Sequence, residues 1–251
     1  MTELWFTGLV WAWIAVGIGT LLLLFFVDAP YGKHQRAGWG PGIPNRIAWF
    51  VMEIVVLAVF FAVYGVTNSD WTSPTLVFAG LLTFHYVNRA LIYPWRTRTR
   101  GKTMPLSIFA ASVGFNTMNG FLLGWDFSHD LHRDVTWFAD PRFLIGAVLF
   151  IAGLALNWDS DNRLLALRKG GDTGYHIPHG GGFSRVSAPN LLGEIIEWGG
   201  FALLTWSISG LAFFIWTCAN LVPRALATHR WYHEKFPDYP ANRRALIPYV
   251  W

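Results

Sequence analysis

The sequence predicts an all-α, polytopic membrane protein with seven transmembrane helices, and three observations carry the prediction. Of its 251 residues 53% are hydrophobic and only 14% charged, against about 25% charged in an average soluble domain. Apolar segments close to the roughly 20 residues that cross a bilayer recur along the whole chain. Lys and Arg collect in alternate connections between those segments. So little charge cannot cover a soluble surface, which excludes disorder, a disulfide scaffold and an ordinary soluble enzyme.

The first span, 4–27, has no charge, and the one charged residue ahead of it is Glu3. It lacks the basic lead of a signal peptide and is therefore a retained helix. Spans two to five are 47–66, 74–93, 105–125 and 143–158. The last apolar block, 193–223, is either one tilted helix or a hairpin of two, and charge decides between them. If the N-terminus lies outside, the inside segments are 28–46, 89–104, 159–192 and the tail after 223. These hold every Lys and Arg of the chain's 19 except Arg133 and Arg142. The basic tail, with Arg224, Arg230, Lys235, Arg243 and Arg244, is inside only if 193–223 crosses twice. The turn is expected at Ser207-Ile208-Ser209-Gly210, with the seventh helix running past Pro223 toward Tyr232. The expected protein is one domain, 1–251, N-out and C-in, monomeric, in a bacterial inner membrane or the endoplasmic reticulum. No nucleic-acid partner is expected. Its single cysteine, Cys218, allows no intrachain disulfide.

An ionisable group inside a span marks a function unless a partner explains it. Glu53 lies roughly 9 Å inside the inner end of the second helix at 1.5 Å per residue. Tyr86 lies at a similar depth in the third helix, three residues before Arg89 and on its helical face. A Glu53–Arg89 ion pair is the structural alternative, and His85 reads as a structural histidine. Asn116 and Asn119 on the fourth helix suit either a site or interhelical hydrogen bonding. Asn157 and Asp161 share a face at the end of the fifth helix. Asn190, Glu194, Glu197 and Trp198 share one at the start of the sixth, where acids also suit the helix dipole. Most of these groups fall in the inner half, so the expected cavity opens to the cytoplasm.

No Gly-rich strand-to-helix turn or phosphate-binding loop is present, which excludes Rossmann and P-loop domains. No Cys/His spacing suggests zinc, His176 and His179 are too isolated to be ligands, and no metal is expected. Basic loops, acids and amides fit a polyanionic cofactor that also carries hydroxyls and an amide.

These residues resemble the steroid 5α-reductases (3-oxo-5α-steroid 4-dehydrogenases) over nearly the whole chain. The likeness is carried by Tyr31-Gly-Lys-His34, Trp49-Phe50 ahead of Glu53, His85-Tyr86 through Arg89, and Asn119-Gly120. It continues in Asn157 with Ser160-Asp161, Tyr175 with Ile177-Pro178, Asn190 to Trp198, and Arg244-Ala-Leu-Ile-Pro248. The chain departs from the common pattern at Met52, His176 and Thr228.

The resemblance implies a seven-helix reductase that uses NADPH to reduce the C4–C5 double bond of a 3-oxo-Δ4 steroid. It implies Glu53 and Tyr86 as catalytic residues at the 3-keto oxygen. It places Asn157, Asp161, Arg168, Tyr175, Asn190, Glu194 and Tyr232 around the cofactor, with Arg100 and Lys102 near its phosphates. It places Phe115 and Trp198 along the sterol cavity, beside Asn119. Elementary chemistry agrees, because hydride addition puts negative charge on the ketone oxygen and a fixed donor there lowers the barrier. Three other readings fit the same residues: an isoprenylcysteine-type membrane methyltransferase, a reductase of another sterol or enone lipid, and a transporter with a proton relay.

Overall fold

The computed structural model describes residues 2–27, 38–67, 71–97, 101–129, 134–168 and 174–250. Among the described residues there are seven long helices: α1 (Thr2–Phe26), α2 (Asn45–Thr67), α3 (Ser73–Arg96), α4 (Leu106–His129), α5 (Pro141–Ala166), α6 (Pro189–Thr205) and α7 (Ile208–Lys235). Six of them are long and apolar enough to span a membrane, and α6, at 17 residues, is the short one. The protein is an integral, multi-pass membrane protein.

The expected hairpin in the last apolar block is present. Trp206 takes the left-handed conformation (φ 45°, ψ 40°) and donates its N–H to Ala202 O. The chain reverses there, and α7 restarts at Ile208, slightly earlier than expected. The seventh helix does run past Pro223. The fifth helix is longer than its apolar stretch, because its last turns carry the polar residues Asn157 to Arg163.

The chain forms two compact units. One contains residues 29–144 and 207–209, and the other residues 1–28, 145–206 and 210–251.

In the first unit, two short strands, β1 (Gly42–Pro44) and β2 (Thr103–Pro105), pair antiparallel with Ile43 opposite Met104. Each strand runs directly into a helix. The clasp continues as Asn45 N–H donating to Lys102 O (3.0 Å) and Leu106 N–H to Pro41 O (2.9 Å). It therefore sets the starts of α2 and α4 side by side. Above it, Asn116 donates Nδ2 to Met52 O at 2.6 Å. One and two turns further along α4, a Cβ on Gly120 or Gly124 would stand 2.6 Å from Val56 O or 2.8 Å from Phe60 O. The two backbones can approach this closely only because those positions are glycine. At the far end Asp126 accepts the Ser209 N–H (3.1 Å), a capping interaction for the first turn of α7. Asp140 does the same ahead of α5. Its carboxylate accepts from Arg142 N, Nε and Nη2, and the Arg142 hydrogen bond holds it down to about 2. That depressed value means the cap is complete above the ordinary 3.8 and fades only as pH falls toward about 2.

In the second unit, Trp216 on α7 donates Nε1 to Trp13 O (2.9 Å) and its ring lies 4.5 Å from that of Trp13. Gly17 leaves room for the Trp216 indole. Helices α5 and α6 meet through four glycines spaced by seven. Gly146 faces Gly200 and Leu204, and Gly153 faces Gly193 and Glu197. A Cβ on Gly193 would lie 2.5 Å from Asn157 N, and one on Gly146 2.5 Å from Leu204 N. After α7, residues 236–250 fold back. Ser187 N–H donates to Arg244 O (2.8 Å) and Arg244 N–H to Arg185 O (3.0 Å), a parallel bridge between Val186 and Arg244.

Gly193→Ala is expected to destabilise the protein by about 1–3 kcal/mol or more, since the obstructing atoms are backbone. Gly114→Ala, where nothing lies within 4 Å, is expected to be neutral. Thermal unfolding of both variants in detergent measures the difference.

Candidate functional site

In the unit that carries α2, α3 and α4, the group of interest is built around a break in helical regularity. Pro94 lacks an N–H, and in an α-helix its ring would strike the carbonyl of Ala90. The helix widens to accommodate it. Residues Val87–Ile92 are π-helical and Tyr93 N–H bonds Asn88 O, five residues back. Tyr86 is the last residue before this turn and is only 3% exposed. Its ring meets His85 edge-on at 5.1 Å. Arg89, inside the wide turn, places its guanidinium over Trp49 (5.5 Å) and Tyr93 (5.1 Å). A turn of this longer reach sets Arg89 at a different angle from Tyr86 than an α-helix would. Arg46 Nε donates to Pro94 O (3.1 Å), which ties the end of α3 to the start of α2.

Glu53 lies on α2 in the same unit and is half-buried. Its neighbour Met52 supplies the carbonyl that Asn116 takes, so Asn116 serves helix packing. Asn119 is 1% exposed and Phe115 is half-buried, both on α4. Lys102 is exposed at the strand clasp. Arg100 lies outside the described residues.

The second unit carries the other expected residues. Asn157 is 1% exposed and donates Nδ2 to Asn190 O (2.9 Å), while Asn190 Nδ2 donates to Asp161 Oδ1 (3.2 Å). Sequence spacing alone put Asn157 and Asp161 on one helix and Asn190 on the next, and the structure joins them. The Gly153–Gly193 contact sits one turn away and lets the amide reach across. Arg168 lies over the Tyr175 ring at 5.7 Å, and Tyr175 meets Trp231 edge-on at 4.9 Å. Tyr232 stacks on Tyr239 (5.0 Å, 7°). Glu194 is half-buried one turn beyond Asn190. Trp198 is 1% exposed among Phe150, Phe201 and Phe213, an aromatic core, and Glu197 beside it is fully buried.

Sequence reasoning missed the contribution of the folded-back tail. Arg243 is 4% exposed, lies over Tyr239 at 5.2 Å, and has its Nη2 3.4 Å from His179 Nδ1. Tyr239 donates to Ser187 Oγ (2.7 Å), which lies 2.6 Å from His229 Nδ1. The sequence places Arg243 and Arg244 only as basic residues of the tail. Nothing in the local pattern reveals that a main-chain bridge draws one of the two into the interior.

Among the buried polar atoms that take no hydrogen bond among the described residues are Arg243 Nη1, a charged donor, and Asn157 Oδ1, an acceptor. Burying such groups unsatisfied costs about 1–3 kcal/mol each. Together with Arg168, the rings of Tyr175 and Trp231, and Asp161, they make a donor–acceptor set suited to a ligand that is at once anionic, aromatic and amide-bearing.

Asn190→Asp is expected to lower stability more than Asn190→Ala at neutral pH. It sets a carboxylate against Asp161, whereas the alanine removes one donor worth about 1–3 kcal/mol when the acceptor is charged. Thermal melting followed by tryptophan fluorescence distinguishes the two.

Comparison with known proteins gives a consistent result. Residues 102–251 match the family model described as 3-oxo-5-alpha-steroid 4-dehydrogenase. The chain is 42% identical over 246 residues to steroid 5-alpha-reductase DET2 of Gossypium hirsutum, covering 94% of this chain and 93% of that protein. It is 40% identical over 242 residues to 3-oxo-5-alpha-steroid 4-dehydrogenase 1 of Bos taurus, with 94% and 93% covered. The corresponding human protein is 39% identical over 238 residues, with 94% and 92% covered.

Proposed function

The chain belongs to the 3-oxo-5-alpha-steroid 4-dehydrogenase family, and from that premise we propose that it uses NADPH to reduce the C4–C5 double bond of 3-oxo-Δ4 steroids. Family membership selects a steroid reductase among the readings that the residues left open. The observation that supports the finer chemistry is Tyr86, a phenol 3% exposed within a membrane-spanning helix and fixed at the mouth of a π-helical turn. Interfacial anchoring places tyrosines at the membrane surface, so a buried one at such a distortion is better explained by chemistry.

In this proposal residues 1–251 act as one reductase whose basic loops face the cytoplasm. Tyr86 donates a hydrogen bond to the 3-keto oxygen, where negative charge grows as the conjugated system accepts electrons. Glu53 either shares that oxygen as a protonated acid or orients the Tyr86 hydroxyl. The proton required at C4 comes through Tyr86 or a water it holds. Phe115 and Asn119 border the steroid. The NADPH, when bound, supplies the hydride that C5 receives.

The second cluster fits that cofactor by its chemistry. Arg168 and Arg243 are cations for phosphate, with Lys102 and Arg100 as further candidates. Asn157 and Asn190 suit a carboxamide, Asp161 and Glu194 suit ribose hydroxyls, and Tyr175 with Tyr232 suits aromatic rings. Arg243 and Asn157 each bring a buried polar atom that such a ligand would satisfy. Trp198 shapes the helix that carries these groups from within its aromatic core.

Tyr86→Phe is expected to lower steroid turnover by about 10²–10³-fold, the usual effect of deleting one oxyanion donor, while NADP+ binding is retained. The assay is NADPH consumption with progesterone or testosterone in detergent, with the product identified by mass spectrometry. Wild-type turnover by Tyr86→Phe would remove Tyr86 from the reaction. Absence of a 5α-reduced product from the wild-type protein would overturn the substrate assignment.

A further inference from the structure

Ser187 is 1% exposed and lies three residues before Asn190, on the segment that enters α6. Its hydroxyl is held from two directions. Tyr239, on the folded-back tail, donates its O–H to Ser187 Oγ at 2.7 Å. His229, on α7, sets its Nδ1 2.6 Å from the same oxygen. The Ser187 main chain is also tied to the tail through Arg244 O. One hydroxyl thus joins three pieces of chain: α7, the tail, and the approach to Asn190.

Proton counting fixes the direction of the chain. A serine hydroxyl has one proton and two acceptor sites. Tyr239 uses one acceptor site, and the proton of Ser187 is then satisfied only by a bare His229 Nδ1. His229 must therefore be neutral, with its own proton on Nε2. If His229 gains a proton, Nδ1 turns from acceptor to donor. Tyr239 and His229 then both donate to Ser187 Oγ, and the Ser187 proton has no acceptor among the described residues. Leaving a buried hydroxyl in that state is unfavourable.

The titratable and charged groups facing His229 add to this. His233, on its own helix, lies edge-on at 4.5 Å, and Arg244 on the tail acts on it electrostatically. Tyr239 lies 6.3 Å away by ring centroids. Ser187, from the segment before α6, contributes a neutral hydroxyl. None of these groups supplies a negative charge to favour an imidazolium.

We propose that Tyr239, Ser187 and His229 form a proton-sensitive latch that is closed when His229 is neutral and opens on its protonation, and that the latch positions the N-terminal end of α6. These are positioning residues. Their link to activity rests on the reading above that Asn190 and its neighbours hold the cofactor.

The test separates the latch from that reading. Hydrogen-exchange protection factors for the main-chain amides of residues 186–192 are measured on the full chain in detergent, at about pH 8 and about pH 4.5, the second well below an ordinary histidine. In the wild-type protein, protection at Ser187 is expected to fall on the order of tenfold at the lower pH, the worth of one hydrogen bond. His229→Gln, which does not titrate, is expected to lose the pH step. Ser187→Ala is expected to show low protection at both values. A wild-type step that persists in either variant, or no step in the wild type, overturns the latch. NADP+ affinity measured on the same samples should weaken at the lower pH in the wild type alone. If the exchange step is present but NADP+ binds at neither pH, the latch stands and the cofactor reading fails.

Discussion

A polar group carried into a membrane by a helix must find its partner within the protein, because the hydrocarbon around it offers none. Here that requirement is met in both units by the same device. A row of glycines lets two helices touch main chain to main chain, and an asparagine one turn from a glycine reaches the neighbour's exposed carbonyl. On α4 it is Asn116, then Gly120 and Gly124, against Met52, Val56 and Phe60 of α2. On α5 it is Gly146 and Gly153, then Asn157, against α6. Lipid provides no hydrophobic drive between helices, so close approach and an occasional amide bond do the work that apolar burial does in water.

The asparagines differ in what they leave over. The structure shows Asn116 spending its donor on helix packing. Asn157 spends its Nδ2 the same way but holds its Oδ1 in the interior with no hydrogen bond among the described residues. Identical residue types in similar settings thus divide into one that explains itself and one that calls for a ligand. The contrast is sharpened by Arg243, a buried guanidinium whose Nη1 is likewise unsatisfied. A cation in that state is costly enough that structure alone is a poor reason to keep it.

Much of the architecture was legible in the sequence because it depends on length, apolarity and charge. The hairpin within 193–223 was expected from the placement of the basic residues, and Trp206 makes the turn within a residue or two of where it was expected. The π-helical turn was not legible. Pro94 advertises a break, yet whether a helix kinks, ends or widens depends on packing that the local sequence does not display. The strand clasp was hidden because three-residue strands carry no period. Trp198 shares a helical face with Asn190 and Glu194, but a shared face does not say where along the helix the environment changes from polar to aromatic. The inward turn of Arg243 was not legible either. It stands beside Arg244 in a basic tail, and only the bridge between Val186 and Arg244 turns it inward.

That bridge gives the tail its significance. Two main-chain hydrogen bonds fix residues 185–187 to Arg244, and with them fix the side chains on either side: Arg243 toward the interior and Ser187 between Tyr239 and His229. Helix α6 begins two residues later, at Pro189, and Asn190 follows at once. The N-terminal end of α6 is thus held from two sides. The glycine contact with α5 sets its distance from Asn157 and Asp161, and the tail sets the path by which the chain enters it. An arrangement of this kind has rigid amides, because helix packing fixes them, and an adjustable approach, because the hydrogen bonds there include a histidine, a group able to change its proton count.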